Sequence, residues 1–535
     1  MIRKIVFLGS AFFALLFFVL SKNSVAAAAT FYVSTTGSNT TGAGTSISPW
    51  QTIGYGISRM AGGDTLIIKD GTYTGDGNRI KGIPSGSLGA YTTIKAESDF
   101  GVILSNLFSG TSSNQEQAPV SITRKSYIAI EGFIIKDVQG TSIYALSGIT
   151  VSDSDHIKIR KVGIKNGVPP IAEYGGAITC GGCSYSLLED IFAAGMMRYG
   201  VLFVGGDTNH HNIMRRVVVR WDYSTTAQPR ASIVVYGGAQ GTNTSSNILI
   251  QNSIAVDGNN GSGSTFTGGF SAPHETSNTR RYGSISLNNR GFGFHSSEDS
   301  LSHDNTNTHS VVWNSDSGFW WRWASSGMSG CYNCTSTKSM SVSNGLNFTE
   351  AIDNIMVDGA TLTMGNKVGN VNLLNSDFSY IARSPVSGKG ATIEKKMGVT
   401  GTLYGESGFN TLTAENLWPW PYESKIKELF SETNDPPAGY GLSPSANNVS
   451  RGFAADGNGL YGGPITLTSY IWEYLGNPCP ADICNYGTQT FHLADINQNN
   501  KIEMSELIAF IAKWKTSQAV LSDVLDVLGR WLRGE

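Results

Sequence analysis

Residues 126–138 read SYIAIEGFIIKDV, and the phrase returns as DHIKIRKVGIKNG (155–167), YSLLEDIFAAG (185–195), HNIMRRVVVRWD (211–222) and SNILIQNSIAVDG (246–258). Fainter copies follow at DNIMVDGATLTMG (353–365) and GNVNLLNSDFSYI (369–381). Each copy starts polar, alternates apolar residues, breaks briefly and resumes as a second apolar strand. Aligning Ile128, Ile157, Leu187, Ile213 and Ile248 gives spacings of 29, 30, 26 and 35 residues. A unit of this size yields two or three short strands that cannot bury an apolar face alone, so stacked units must supply the core. The spacing is shorter than the 40–50 residues of a propeller blade. No helical stretch separates the strands, which argues against an α/β sheet or barrel.

Composition fits a stack of strands and turns. Of 535 residues 64 are glycine, and only 15% are charged, against about 25% in an average protein. Glycine, asparagine and aspartate tolerate the left-handed backbone that tight corners need. A net charge of -3 together with 10% aromatic residues excludes a disordered chain and gives no basic face for nucleic acid. The glycines have no triplet period, so collagen is excluded as well.

The ends differ from this body. Arg3 and Lys4 precede an apolar run from Ile5 to Leu20, and small residues follow at Val25–Thr30. This is the layout of an export signal over residues 1–29, cut near Ala28 or Ala29, and the run is short for a retained anchor. The mature chain is therefore expected outside the cell or at its surface. Six cysteines fall in the close pairs Cys180/Cys183, Cys331/Cys334 and Cys479/Cys484. In an exported chain these are expected to form disulfides. A four-thiolate zinc site is the alternative, but the two CxxC pairs lie about 150 residues apart.

From Asn416 the strand pattern stops. Residues 416–485 read as a Pro- and Gly-rich connection with short helices, and 486–535 as a helical tail. Within that tail Asp495–Glu506 (DINQNNKIEMSE) matches a twelve-residue calcium loop. Asp495, Asn497, Asn499 and Glu506 would supply side-chain oxygens, and Lys501 its carbonyl, to a Ca2+ ion. Asn500 stands where glycine is usual, and asparagine tolerates that backbone region. MSELIAFIAKW (504–514) repeats as LSDVLDVLGRW (521–531), without a second loop.

The opening FYVSTTGSNTTGAGTSISPWQTIGYGISRMAGGDTLIIKDGTYTG (31–75) is similar to the N-terminal module of exported pectate-lyase-like proteins. The similarity rests on Tyr32–Ser34, Pro49–Ile53, Gly63–Thr65 and Asp70–Tyr73. It implies an all-β chain, a right-handed parallel β-helix over residues 30–415, capped by a short helix at about Ile53–Met60. The tail resembles a dockerin or EF-hand half, a resemblance that implies a docked protein partner, with a cap on the C-terminal end of the solenoid as the equal alternative.

The resemblance also implies a substrate class, acidic polysaccharide, and a reaction. β-Elimination removes the proton beside a uronic carboxylate, and needs a cation on that carboxylate and a lysine or arginine base. The densest polar stretch, 209–323, holds six of the eight histidines. From it come Arg216 or Arg220 as the expected base, and Asp222, Asp257 and Glu275 as expected cation ligands. Trp320, Trp321 and Trp323 form an expected sugar platform. Motifs of the related hydrolases are missing. The alternative is a non-catalytic surface or matrix scaffold held through its tail.

Overall fold

A computed structural model describes residues 28–105, 118–136, 147–166, 176–222, 230–237, 244–258, 268–289, 291–296, 302–315, 317–321 and 395–432, with shorter pieces at 335–337, 340–342, 351–352, 355–357, 452–455, 465–474 and 504–515, and isolated positions among and beyond these. The chain winds as a parallel β-helix. Among the described residues one sheet has 20 strands and a second has 8, and every pairing in both is parallel. The larger sheet forms two faces of the coil. They merge where single long strands, Asp155–Lys165, Leu187–Met196 and Ile213–Asp222, run through the bend.

The bend has a local cause. Lys161, Asp190, Arg216 and Asn252 stack there with φ of 52°, 55°, 51° and 45°, and Gly132 and Gly283 continue the column. One left-handed residue per coil turns the strand without breaking its ladder. Lysine and arginine bear this conformation at a cost, and the surrounding stack must hold them there.

The lumen is apolar for most of its length. In register, Leu66, Ile94, Ile130, Ile159, Leu188, Met214 and Ile250 form one interior column. Phe270, Phe294 and Phe319 stack on the second sheet at 4.5 and 4.8 Å between ring centres. At the N-terminal end the helix Ile53–Ile57 buries Ile53 and Ile57 as a lid, and Gly56 lies so close to Val33 and Leu66 that a side chain would collide.

Register corrects two of the four steps in the sequence alignment. Ile128 pairs with Ile157, and Leu187 with Ile213, as aligned. Leu187, however, pairs with Lys158, and Ile213 pairs with Leu249. A one-residue slip moves a side chain to the other face. Ile128, Ile157 and Ile248 thus face the lumen core, while Leu187, Ile213 and Leu249 pack outside with Leu403.

That outer packing comes from the C-terminal part of the chain. An antiparallel hairpin, Lys395–Met397 with Leu412–Asn416, is followed by helices Glu423–Ser431 and Leu467–Tyr474. Leu417, Trp418, Trp420, Phe430, Phe453 and Trp472 bury against Phe192, Val218, Ile254 and Ile285 on the outside of the larger sheet. Each such side chain contributes about 2 kcal/mol by burial. The described parts of 416–485 therefore pack against the outside of the solenoid.

Cys180 and Cys183 are free thiols with no exposure, which corrects the disulfide expected for that pair. Both lie in the lumen core, and burial pushes the Cys183 thiol well up. The other four cysteines and residues 1–27 lie outside the described residues. No helix among the described residues is long and apolar enough to cross a membrane. In the tail, Ile502, Leu507, Phe510 and Val527 form a small core of their own.

Candidate functional site

Strand Ile213–Asp222, which carries three of the expected site residues, is buried at every position. Lys95, Glu131, Arg160, Glu189, Arg215 and Gln251 share one register column on the outside of the larger sheet. From Lys95 to Arg215 their charges alternate along it. Glu189 is the hub, with no exposure. It accepts from Arg160 Nε at 2.7 Å and Arg215 Nη1 at 2.9 Å, and pairs with Arg216 Nη2 at 3.1 Å. The Gly401 N–H adds a bond at 2.9 Å. Burial alone would raise this carboxyl, but Arg216, Arg160 and Arg215 outweigh it and hold it at about 2.

The expected base is committed here. Arg216 is 2% exposed and pairs through Nε with Asp190 at 2.6 Å. Burial opposes its charge, yet Asp190 and Glu189 overcome that and raise its proton affinity. A base for β-elimination must meet substrate and needs a lowered affinity, and Arg216 offers neither. Arg220 is equally buried and donates to the Phe430 carbonyl at 2.8 Å, and Asp222 lies 3.4 Å from it with no exposure.

The expected cation ligands Asp222, Asp257 and Glu275 are all buried. Asp257 accepts at Oδ1 from Asn288 at 2.8 Å and from the Tyr470 hydroxyl at 2.7 Å, and at Oδ2 from the Phe453 N–H at 3.2 Å. Its oxygens thus anchor the C-terminal segment. Glu275 has no exposure. Among the described residues no group of three or more His, Cys, Asp or Glu is placed to hold a metal ion. Trp320 and Trp321 close strand Ser317–Trp321, in register with His295 and Ser296. Trp323 lies outside the described residues, as do Asp495, Asn497, Asn499 and Lys501. Glu506 is described, buried in the first turn of helix Met504–Lys515.

The histidines disperse over several corners. One corner carries a half-exposed column, Tyr91, Tyr127, His156, Tyr185 and His211, with ring centres 5.6, 4.5, 5.4 and 5.0 Å apart. From Tyr127 onward these rings stack face to face, so their faces are covered by each other and only the edges meet solvent.

A concave site lies elsewhere. A cleft of about 660 Å3 opens between the lid helix, the segment 79–83 and the end of strand Val120–Thr123. Arg79, Lys81, Arg124 and Lys125 line it, with Ser58, Ser121 and Thr123, and no carboxylate among the lining residues. Arg79 is fixed by bonds to the Ala118 carbonyl at 3.3 Å and to Asp76 at 3.1 Å. Lys81 stands 3.9 Å from Asp76 and is half exposed. Arg124 is exposed, at a left-handed corner with φ 52°. These residues escaped the sequence reading because Arg79-Ile-Lys81 and Arg124-Lys125 precede the dense polar stretch. Their signal was two basic doublets set about one coil apart. Such a cleft can neutralise several negative charges of an extended ligand.

No family model and no curated protein matches the chain. Among solved structures it is similar to a pectate lyase, at 15% identity over 72% of this chain and 89% of that one, with a TM-score of 0.42. A rhamnogalacturonan lyase is similar at 14% identity over 72% and 96%, with a TM-score of 0.44. An alginate lyase from Paenibacillus sp. is similar at 13% identity over 62% and 99%, with a TM-score of 0.34. These likenesses are faint, and the parallel β-helix rests on the strand register above.

Proposed function

We propose that the chain is an exported β-helix protein that binds acidic polysaccharide, with its polyanion held in the cleft lined by Arg79, Lys81, Arg124 and Lys125. The observation that carries this reading is the cleft's lining of four cations and no carboxylate. Uronic carboxylates would be neutralised directly by guanidinium and ammonium groups, and guanidinium adds the paired hydrogen bonds that suit a carboxylate. The flanking serine and threonine hydroxyls suit sugar hydroxyls.

Binding is the reading favoured over β-elimination, because Arg216, Arg220, Asp222 and Asp257 are buried, with Arg216 paired to Asp190 and Glu189, Asp222 beside Arg220, and Arg220 and Asp257 bonded to the C-terminal segment. The loop Asp495–Glu506 is the proposed calcium site, and the tail the proposed attachment to a protein partner.

Calorimetry of the mature chain with polygalacturonate and alginate tests this reading. Binding that weakens steeply with salt is expected, and the Arg124→Ala/Lys125→Ala double variant should lose about tenfold in affinity. A double variant that binds like the wild type would remove the cleft. No binding to any uronic polysaccharide would remove the function. Release of unsaturated sugars, followed by ultraviolet absorbance, would instead establish a lyase.

A further inference from the structure

We propose that the lumen of the solenoid holds a small monovalent anion, of the chloride class, against Arg281. The interior column that runs through Met214 and Ile250 continues in register to Arg281, then Asn307 and Ser336. An aliphatic stack thus gives way at one coil to a cation. Arg281 is 1% exposed, and its side chain spans the lumen from the larger sheet to the second one. Nη1 donates to Ser296 Oγ and Asn307 Oδ1, both at 3.2 Å. Nη2 donates to the His295 carbonyl at 3.1 Å and to Ser296 Oγ at 3.3 Å.

Every one of those acceptors is neutral. Nε is buried with no hydrogen-bond partner, and among the described residues no carboxylate pairs with the guanidinium. Every other buried arginine named above has a carboxylate, Glu189, Asp190, Asp222 or Asp76, within 3.4 Å. Arginine keeps its proton in proteins at neutral pH, and although burial draws this one down, it reaches only about 9. A full positive charge therefore stands in an interior with no counter-charge among the described residues, an arrangement that strongly disfavours folding. One negative ion accepting from Nε completes both the charge and the hydrogen bonds.

Thermal unfolding of the full chain, exchanged into sodium gluconate and then titrated with sodium chloride at constant ionic strength, tests the site. The expected result is a Tm that rises on the order of 2–4 °C between about 1 and 100 mM chloride. Arg281→Met should show no chloride dependence. Equal Tm at every chloride-to-gluconate ratio overturns the proposal, and so does a chloride effect that survives Arg281→Met. Should that variant fail to fold, crystals of the wild type soaked in bromide decide. An anomalous peak beside Arg281 Nε supports the site, and its absence overturns it.

Discussion

Replacing Glu189 by glutamine keeps the side chain's volume and removes one charge from a buried group that is otherwise balanced. Glu131, Glu189 and Asp190 face Arg160, Arg215 and Arg216, three negative against three positive. The variant leaves one guanidinium charge in excess at a place with no solvent to absorb it. The carboxyl sits at about 2 in the folded chain against an ordinary 4.5. That difference corresponds to about 3 kcal/mol of folding stability. Removing one partner of a buried pair commonly costs about 3–5 kcal/mol, so Glu189→Gln should lose about that much at pH 7.

The folded value lies below the unfolded one, so the contribution is complete above pH 4.5 and drains away as pH falls toward 2. Urea unfolding read by the fluorescence of the chain's eleven tryptophans, among them Trp221, which is fully buried on the strand that carries Arg215 and Arg216, gives the stability at each pH. The gap between wild type and variant should be widest near pH 7 and shrink to about 1 kcal/mol near pH 2.5. A gap below about 1 kcal/mol at pH 7, or one unchanged with pH, would refute the ladder's role.

Three further outcomes are expected. Glu423 has the opposite sign: burial, opposed by bonds from Thr468, lifts its carboxyl to about 7. Its folded value exceeds its unfolded one, so stability falls as pH rises from about 4.5 through 7. Glu423→Gln should remove that slope and stabilise the protein at pH 8 by up to about 3 kcal/mol, read by the same urea curves. Asp257→Ala should loosen the C-terminal cover, costing about 2–4 kcal/mol and speeding amide exchange at Phe453 and in helix Leu467–Tyr474. Asp495→Ala should abolish calcium uptake by calorimetry, and unchanged uptake would dismiss the loop.

The coil was legible in the sequence because stacking imposes a repeat, and the repeat of SYIAIEGFIIKDV could be read directly. The register was only half legible. Period-two patterning tells inside from outside when one face is wet, but here Leu187, Ile213 and Leu249 are apolar on the outer face because Leu403 covers them. The cover comes from almost 200 residues further along the chain, beyond the reach of any local pattern. The same cover explains why Arg216 and Asp257 look like site residues in sequence. Clustered charge marks a solvent-facing groove or a buried ion-pair seam equally well, and only the packing of 395–474 separates the two. The cationic cleft was hidden for a different reason. Its four cations come from two segments that meet only when strand Val120–Thr123 is laid beside Ile80.

The alternation of Lys95, Glu131, Arg160, Glu189 and Arg215 gives the stack a parity. Duplicating or deleting a single coil inside this run would set like charges side by side, one strand spacing apart, where they repel. Duplicating two coils at once would keep every neighbour opposite in sign. Lengthening the solenoid by one unit is therefore open only outside the run, so its growth in evolution or by design should proceed singly at the ends and in pairs through the middle.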